Sequence, residues 1–158
     1  QIGMRFAGFM SRYDRTHLNI RGSLVFLDDF SIGKGCRFDI GPEAKAIFGG
    51  GYVNANTQFV IADRLEVGRD CAISWNCKFM DADFHEISYE DQSNKRNLGI
   101  TLGDHVWVGS DVTFLKGAIV PSGCVISANS LVNKEFYGEN LLLGGSPARI
   151  LRRNVQWK

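Results

Sequence analysis

A six-residue repeat runs through residues 102–134 and limits what this chain can fold into. Each unit of six begins with a bulky apolar residue: Leu102, Val108, Phe114, Val120, Ile126 and Val132. The fifth position of each complete unit is small or branched: Val106, Val112, Ala118, Cys124 and Ser130. An amphipathic helix needs apolar residues at a spacing of about 3.6, and a half-buried strand needs alternation, so neither accounts for a period of six. A chain that turns a corner every six residues does account for it, and hexapeptide repeats are typical of parallel β-helices.

The same units occur earlier in the chain, with a slip in register. They begin near Ile20, lose their spacing over the glycine-rich residues 44–52 and return at Ala55. Three units would form one triangular coil of about 18 residues, stacked about 4.8 Å from the next coil. The run Gly49–Gly51 lacks the lysine-serine and helix that follow a phosphate-binding loop, so we expect a bulge or a corner there.

The residues before the first unit are predicted to be a lead-in or cap. Residues 1–18 fit the repeat poorly, although Phe6, Phe9 and Met10 are spaced to form one face of a short helix. Such a segment would cover the open end of a coil, where unpaired strand edges invite aggregation. We therefore predict a β-helix domain over residues 19–137.

Two later segments also break the repeat. Residues 83–98 are polar and aperiodic, which predicts a loop ejected from one corner of the β-helix, and loops on rigid scaffolds often carry function. In the C-terminal segment, 138–158, Ser146 followed by Pro147 is typical of a helix N-cap and first turn, so we predict a short closing helix over 148–155. The predicted fold class is all-β, a parallel β-helix with an ejected loop and a short C-terminal helix.

The composition excludes several classes of protein. The chain has 158 residues, the length of one domain, and 44% of them are hydrophobic. A net charge of +1 gives no large basic surface for nucleic acid. No apolar run reaches the ~18 residues of a membrane span, and the first residues lack the apolar core of a signal peptide. The chain begins with Gln1 rather than Met, which leaves the completeness of its N-terminus open.

The four cysteines are predicted to be core residues. Cys36, Cys71, Cys77 and Cys124 all take the fifth position of a unit, where a small apolar side chain fits inside the coil. The chain has no C-x-x-C pair, which argues against a zinc ribbon. Reduced thiols packed in a core favour a cytoplasmic setting.

His85 is the candidate general base from its position alone. It follows Asp81 and Asp83 at the point where the repeat gives way to the loop. An unperturbed imidazole pKa near 6.5 suits proton abstraction at neutral pH, and a neighbouring carboxylate can set the tautomer. An ordinary loop histidine is the simpler interpretation of the spacing. His105 takes the fourth position of a unit, so we expect it to point outward without a catalytic role.

From Ile61 to Asn154 the chain resembles the hexapeptide-repeat acyltransferases, especially the galactoside and maltose O-acetyltransferase branch. The matching motifs are the unit around Asn76, the loop histidine His85, ITLGDHVWVGSDV at 100–112, VISANSLVNK at 125–134 and GSPARIL at 145–151. The resemblance implies a left-handed parallel β-helix. It also implies a homotrimer that binds acetyl-CoA, the acyl donor, in the groove between two prisms, with no metal ion.

The resemblance implies roles for individual residues. His85 matches the general base that takes the proton from the acceptor hydroxyl, and Asn76 matches the asparagine that faces the acceptor. The positions that match acetyl-CoA contacts are Trp107, Gly109, Ser110, Ala128, Asn133, Lys134, Arg149 and Arg152. Of these, Ser110 lies at the thioester end in the family, and the arginines lie near the nucleotide phosphates. Simpler explanations stay open: Trp107 as cover for an outer face, Asn76 as one of a ladder of corner residues, and the arginines as solvated residues of a terminal helix.

Departures from the family pattern concern the substrates. The usual Gly-Ala-Gly reads Ser127-Ala128-Asn129, which predicts a narrower or more polar pantetheine channel, and Asn133 stands where threonine is common. The N-terminal half does not resemble the sugar-binding segment of the galactoside enzymes, so the acceptor is open. We favour a sugar hydroxyl on a glycan precursor of lipopolysaccharide, capsule or exopolysaccharide assembly. Three residues are candidate acceptor contacts by position alone: Tyr52, Asp83 and Tyr89.

Other functions remain as alternatives to O-acetylation. One is N-acetylation of an amino sugar or an antibiotic. Another is a metal-dependent β-helix enzyme of the γ-type carbonic anhydrase kind, which needs three histidines converging on zinc across a subunit interface. The chain has only three histidines, His17, His85 and His105, and they are spread through the sequence. A non-catalytic scaffold is the last alternative, but it would not need the loop histidine, Trp107 and the arginines together.

Overall fold

The described part of the chain, residues 1–4, 13–85 and 98–158 of a computed structural model, is built of strands without a helix. The strands wind as a parallel β-helix with triangular coils, and each side of the triangle contributes to one sheet. The described residues therefore include no helix with the length and apolar character needed to span a membrane.

Three sheets form the sides of the prism. Sheet A contains β1 (Ile2–Met4), β4 (Phe30–Gly33), β7 (Gly51–Val53), β10 (Cys71–Ile73), β13 (Trp107–Val108), β16 (Val125–Ile126), β18 (Leu141–Gly145) and β19 (Ala148–Arg153). Sheet B contains β2 (His17–Ile20), β5 (Arg37–Ile40), β8 (Gln58–Ile61), β11 (Lys78–Met80), β14 (Thr113–Leu115) and β17 (Leu131–Val132). Sheet C contains β3 (Ser23–Phe26), β6 (Lys45–Phe48), β9 (Arg64–Val67), β12 (Ile100–Leu102) and β15 (Ile119–Val120). The chain passes from A to B to C and back to A, and we name the corners AB, BC and CA accordingly.

The six-residue repeat is confirmed as one side of each coil. Trp107 pairs with Val125, and Thr113 pairs with Leu131, so one turn takes 125 − 107 = 18 and 131 − 113 = 18 residues. The first and fifth residues of the units in 102–134 all point inward, and none is more than 2% exposed. The apolar period of the sequence is therefore the period of the core.

A column of phenylalanines fills the interior beside sheet B. Phe38, Phe59, Phe79 and Phe114 take equivalent positions on successive coils and are fully buried. Neighbouring ring centroids lie 4.5, 4.8 and 4.6 Å apart, with planes within 21° of parallel. These distances are favourable for offset stacking. The column continues past the long loop between β11 and β12, so the loop does not interrupt the core.

The four cysteines are buried and free, which confirms their prediction as core residues. Burial raises the pKa of Cys36 and Cys71 to about 11 and that of Cys77 to about 12. Thiols with such values stay protonated at neutral pH and are poor nucleophiles. The cysteines therefore act as packing residues, while the cytoplasmic setting stays a prediction.

The predicted C-terminal helix over 148–155 is wrong. Strand β19 runs antiparallel to β18, and Gly145 pairs with Ala148 across a two-residue turn made by Ser146 and Pro147. Gly145 has a φ of +106°, which glycine adopts without steric cost. A Ser-Pro pair suits a tight turn as well as a helix start, and pairing along β18 satisfies backbone groups that a helix would leave open.

The N-terminal lead-in differs in part from the expectation. Strand β1 pairs with β4 and β2 pairs with β5, so the first coil already includes His17 and Leu18 of the predicted lead-in 1–18. The proposed helical face of Phe6, Phe9 and Met10 lies outside the described residues.

The glycine run in the middle of the chain is a corner, as predicted. Gly49 and Gly50 turn the chain at the CA corner between β6 and β7. A Cβ atom on Gly49 would lie 2.7 Å from the carbonyl carbon of Gly68 on the next coil, so the close approach of two coils requires glycine there.

Candidate functional site

The long loop leaves the β-helix at the BC corner, and its first residue is held by the preceding coil. Asp81 is fully buried, directly after β11. Its carboxylate accepts backbone N–H groups from Ala62 at 2.7 Å, Asp63 at 2.9 Å and Arg64 at 2.8 Å. Hydrogen bonds to an ionised acceptor are short and strong, so Asp81 sets the position where the loop begins.

The loop is also joined to the coil that follows. Asp83 forms an ion pair with Lys116, which lies at the BC corner after β14. At the far end of the loop, the Gly117 N–H donates to the carbonyls of Leu98 at 2.9 Å and Gly99 at 3.1 Å. The Asp83 carboxylate, a predicted acceptor contact, therefore has a partner within the chain.

His85 lies two residues beyond this ion pair and is exposed to solvent. Phe84 before it has a φ of +60° and is 64% exposed. A bulky residue in the left-handed region is uncommon, and such outliers cluster at functional sites. His85 lies five residues beyond the end of β11 and outside the strands, whereas Tyr89 lies outside the described residues, so the ejected loop over 83–98 stays a prediction.

Asn76 lies at the AB corner, in a column of left-handed residues. The φ angles are +63° for Asn56, +59° for Asn76, +60° for Asp111 and +57° for Asn129. Asparagine and aspartate tolerate this conformation better than other residues with a Cβ. The Asn76 N–H donates to the carbonyl of Ala55 on the preceding coil at 3.2 Å. The corner ladder that the sequence left open as an explanation for Asn76 is therefore present.

The same AB corner holds three of the predicted acetyl-CoA contacts: Gly109, Ser110 and Ala128. The Gly109 N–H donates to the Ile126 carbonyl at 2.8 Å, so this amide is already committed to the coil. A Cβ atom on Gly109 would lie 2.7 Å from the Ala128 nitrogen, so glycine is needed there for packing. Ser110 is half-buried and Ala128 is exposed. The corner thus presents small side chains along the axis of the prism.

Tyr52 and Trp107 lie on the outer face of sheet A, in register with Ala72 between them. Their side chains are 40% and 43% exposed, whereas Ala72 is only 3% exposed. With strands about 4.8 Å apart, the two aromatic residues stand roughly 10 Å from each other. Sheet A therefore offers an aromatic outer face with a shallow step in it.

The C-terminal tail packs beside Trp107, a contact that the sequence gave no sign of. Trp157 stacks on the His105 ring with centroids 4.1 Å apart and planes 8° from parallel. The Trp157 Nε1–H donates to the His105 carbonyl at 3.0 Å, and His105 Nε2 lies 3.2 Å from the Trp157 carbonyl oxygen. The ring centroids of Trp107 and Trp157 are 6.1 Å apart. His105 points outward as predicted, and its ring anchors the tail.

The remaining predicted contacts lie near the C-terminal end of the prism. Asn133 and Lys134 are exposed and follow β17 at the BC corner, with Lys134 Nζ 5.3 Å from the centroid of the Phe136 ring. Arg149 and Arg152 are exposed on β19, the edge strand of sheet A. The arginines therefore lie on a strand, not on the predicted helix.

One chain does not bring all of these residues together. Asn76, Ser110 and Ala128 lie at the AB corner, whereas His85 lies at the BC corner, with the width of sheet B between them. The two sets therefore lie at different corners of the prism.

The three histidines also lie apart. His17 begins β2, His85 lies at the BC corner and His105 lies at the CA corner. In the described ranges, no three His, Cys, Asp or Glu side chains are grouped so that they could hold a metal ion.

Known proteins resemble this chain in sequence and in fold. No family model matches the chain. An uncharacterised 24.8 kDa protein from the cps region of Klebsiella pneumoniae is 31% identical over 157 residues, which are 99% of this chain and 70% of that protein. The putative lipopolysaccharide biosynthesis O-acetyl transferase WbbJ of Escherichia coli K12 is 27% identical over 143 residues, 84% of this chain and 72% of its own length. The chain belongs to the hexapeptide-repeat acetyltransferase family.

A further relative extends the family likeness to a glycan-modifying enzyme. The polysialic acid O-acetyltransferase of Escherichia coli O1:K1 is 30% identical over 152 residues, 92% of this chain. The match spans 44% of that relative's length, so the relative contains much that this chain does not match.

Solved structures of hexapeptide-repeat acetyltransferases share the fold. One from Vibrio cholerae has a TM-score of 0.66 at 24% identity, covering 86% of this chain and 75% of its own. The same protein with acetyl-CoA has a TM-score of 0.53 at 25% identity, covering 85% and 72%. The left-handed parallel β-helix that the resemblance implied is thereby confirmed.

Proposed function

We propose that this chain transfers an acetyl group from acetyl-CoA to a hydroxyl of a sugar or glycan precursor of the lipopolysaccharide, capsule or exopolysaccharide type. Two relatives support a glycan acceptor, since one is named a putative lipopolysaccharide biosynthesis O-acetyl transferase and another a polysialic acid O-acetyltransferase. The observation that carries the proposal is the exposed His85, on a loop attached to the coils at both of its ends.

His85 acts as the general base in the proposed reaction. Its imidazole takes the proton of the acceptor hydroxyl while the hydroxyl oxygen forms a bond to the thioester carbonyl carbon. The carbon–sulfur bond then breaks, and the imidazolium returns the proton to the leaving sulfur. Transfer is direct, without an acyl-enzyme, which agrees with four buried cysteines whose thiol pKa values are raised by burial.

Other residues supply binding rather than proton transfer. Ser110, with its N–H or hydroxyl, is the proposed donor to the developing oxyanion, because the Gly109 N–H is already bonded to the coil. The small residues of the AB corner are proposed to leave a groove for the pantetheine arm of acetyl-CoA. Trp107 is proposed to lie beside this groove. Arg149 and Arg152 are the proposed contacts of the nucleotide phosphates, where charge-assisted hydrogen bonds are strong.

The site is proposed to lie between two copies of the chain in a homotrimer. The separation of His85 from the AB corner within one prism supports this arrangement, because a corner of one prism can face the corner of its neighbour. Tyr52 and Asp83 are retained as proposed acceptor contacts, and the ion pair of Asp83 with Lys116 gives Asp83 a second role.

Acceptor screening tests the proposal. The wild-type protein and the His85→Ala variant are incubated with acetyl-CoA and a panel of sugars, nucleotide sugars and oligosaccharides, and the products are followed by mass spectrometry. We expect a product with one added acetyl group that mild alkali removes, because esters hydrolyse and amides do not. An alkali-stable product would assign the N-acetyltransferase alternative instead. A protein that binds no CoA in calorimetry and gives no product would be a scaffold.

A further inference from the structure

Three side chains attach the loop to the prism, and none of them takes part in a chemical step of the proposed mechanism. Asp81 is fully buried, and its two carboxylate oxygens accept the N–H groups of three consecutive residues at the corner between β8 and β9. A buried carboxylate is costly unless its hydrogen bonds are satisfied, and these N–H donors provide that compensation. The loop therefore begins at a point that cannot shift without breaking several strong bonds.

The second attachment lies on the opposite side of the loop. Lys116, on the next coil, pairs with Asp83, and the two side chains are only 26% and 37% exposed. The loop is thus tied to the coil below it through Asp81 and to the coil above it through Asp83. The two ties lie four and two residues before His85.

We propose that Asp81 and the Asp83–Lys116 pair are positioning residues that hold His85 at the height of the prism where acetyl transfer takes place. This inference rests on the proposed function, because it concerns the placement of the general base. The basic nitrogen of a general base must come within about 2.6–3.2 Å of the oxygen that carries the proton. Four residues span at most about 14 Å, so the anchor limits where the imidazole can reach.

A small displacement has a large effect on such a reaction. Misplacement of a reacting group by about 1 Å can cost about 100-fold in rate. Replacement of Asp81 by Asn keeps the shape of the side chain but removes its charge and turns one acceptor oxygen into an NH₂ group facing backbone donors. We therefore expect Asp81→Asn to release the start of the loop while the Phe79 column below it stays packed.

A double-mutant cycle tests the inference. The kcat of acetyl transfer and the KM for acetyl-CoA are measured for Asp81→Asn, His85→Ala and the double variant, with Asp63→Asn as the matched control. Asp63 is at the same corner, but its side chain is exposed. We expect Asp81→Asn to lower kcat about 10- to 100-fold with little change in the KM for acetyl-CoA, and to have no further effect in the His85→Ala background.

Two outcomes would overturn the inference. One is a kcat for Asp81→Asn equal to that of Asp63→Asn. The other is an equal loss from Asp81→Asn with and without His85, which would make the effect structural. The single variant His85→Ala tests the proposed function by itself: if it keeps full activity, the general base is assigned wrongly, whatever Asp81→Asn does.

The ion pair offers a second measurement if Asp81→Asn fails to fold. Lys116→Ala, which leaves the proposed acceptor contact Asp83 in place, should lower kcat, and Lys116→Arg should keep most of it because the ion pair can still form. The matched control is the Arg21–Asp39 ion pair, which is 3.1 Å long and lies at least two coils before the loop, where Arg21→Ala should leave kcat unchanged. Equal kcat values for Lys116→Ala and Lys116→Arg would contradict the positioning role of this pair.

Discussion

The interior column of phenylalanines predicts a large and local loss of stability when one ring is removed. Phe79 is fully buried between Phe59 at 4.8 Å and Phe114 at 4.6 Å, with planes 17° and 10° from parallel. The variant Phe79→Ala removes a stacked neighbour from two rings at once. It does so in the strand directly before Asp81.

The size of this loss in stability follows from the burial of Phe79 and from how little the surrounding coils can close the cavity that the variant leaves. Truncation of a buried Phe to Ala costs about 3–5 kcal/mol, and the cost is higher where the cavity stays open. The coils above and below Phe79 are held at strand spacing by hydrogen bonds, so the cavity cannot close. We therefore expect a loss of about 4–5 kcal/mol in the free energy of unfolding. Phe79→Leu keeps most of the apolar volume but not the stacking, and should cost about 1–2 kcal/mol.

Urea unfolding followed by circular dichroism measures the effect. With a slope near 2 kcal/mol per molar urea, the midpoint should fall by about 2 M for Phe79→Ala. The matched control is Phe84→Ala, since Phe84 is 64% exposed and its removal should change stability by no more than about 0.5 kcal/mol. A loss below about 2 kcal/mol for Phe79→Ala, or equal losses for the two variants, would refute the stacked core.

Three other predictions concern the thiols, the AB corner and the tail. Burial raises the pKa of Cys77 in the folded protein to about 12, above the ordinary thiol value near 8.5 that applies to the unfolded chain. The stability that this thiol contributes is therefore fully present below about pH 8.5 and is lost as the pH rises toward 12. Urea titrations at neutral and alkaline pH should show that fall, and it should shrink in Cys77→Ala. Asn76 is proposed to face the acceptor, so we expect activity to fall both in Asn76→Gly, which keeps the left-handed turn, and in Asn76→Ala. Activity that is retained in Asn76→Gly but lost in Asn76→Ala would instead assign Asn76 to the corner alone. Trp157→Ala removes the ring stack on His105, so the free energy of unfolding should fall by about 0.5–1.5 kcal/mol, and carboxypeptidase should remove the C-terminal residues faster. An unchanged digestion rate would contradict the packing of the tail.

The features that the sequence predicted are those that repeat. Cys124 and Val106 take the fifth position of a unit, and both are completely buried because every coil closes on the same small interior. The gap between β11 and β12 was also predictable, since the repeat stops before His85 and resumes at Leu102. Periodicity reports the core because the coil and the apolar pattern share one period.

The features that the sequence did not predict depend on contacts between coils or on ambiguous turn residues. Asp81 was interpreted as an acid flanking His85, but its hydrogen-bond partners are backbone N–H groups of residues 62–64 on the preceding coil. Every residue except proline has such a group, so the pattern of side chains gives no sign of this contact. The stack of Trp157 on His105 joins residues 52 positions apart and lies outside the repeat. Pro147 fits both a helix start and a hairpin turn, and the hairpin is formed because β18 offers an edge to pair with.

The rate of acetyl transfer by His85→Ala, measured against His17→Ala, tests the central claim most directly. His17 is exposed at the start of β2 and has no role in the proposed site. The account predicts a loss of about 10²- to 10⁴-fold in kcat for His85→Ala, with the affinity for CoA little changed, and full activity for His17→Ala. A kcat for His85→Ala close to that of the wild type would contradict it.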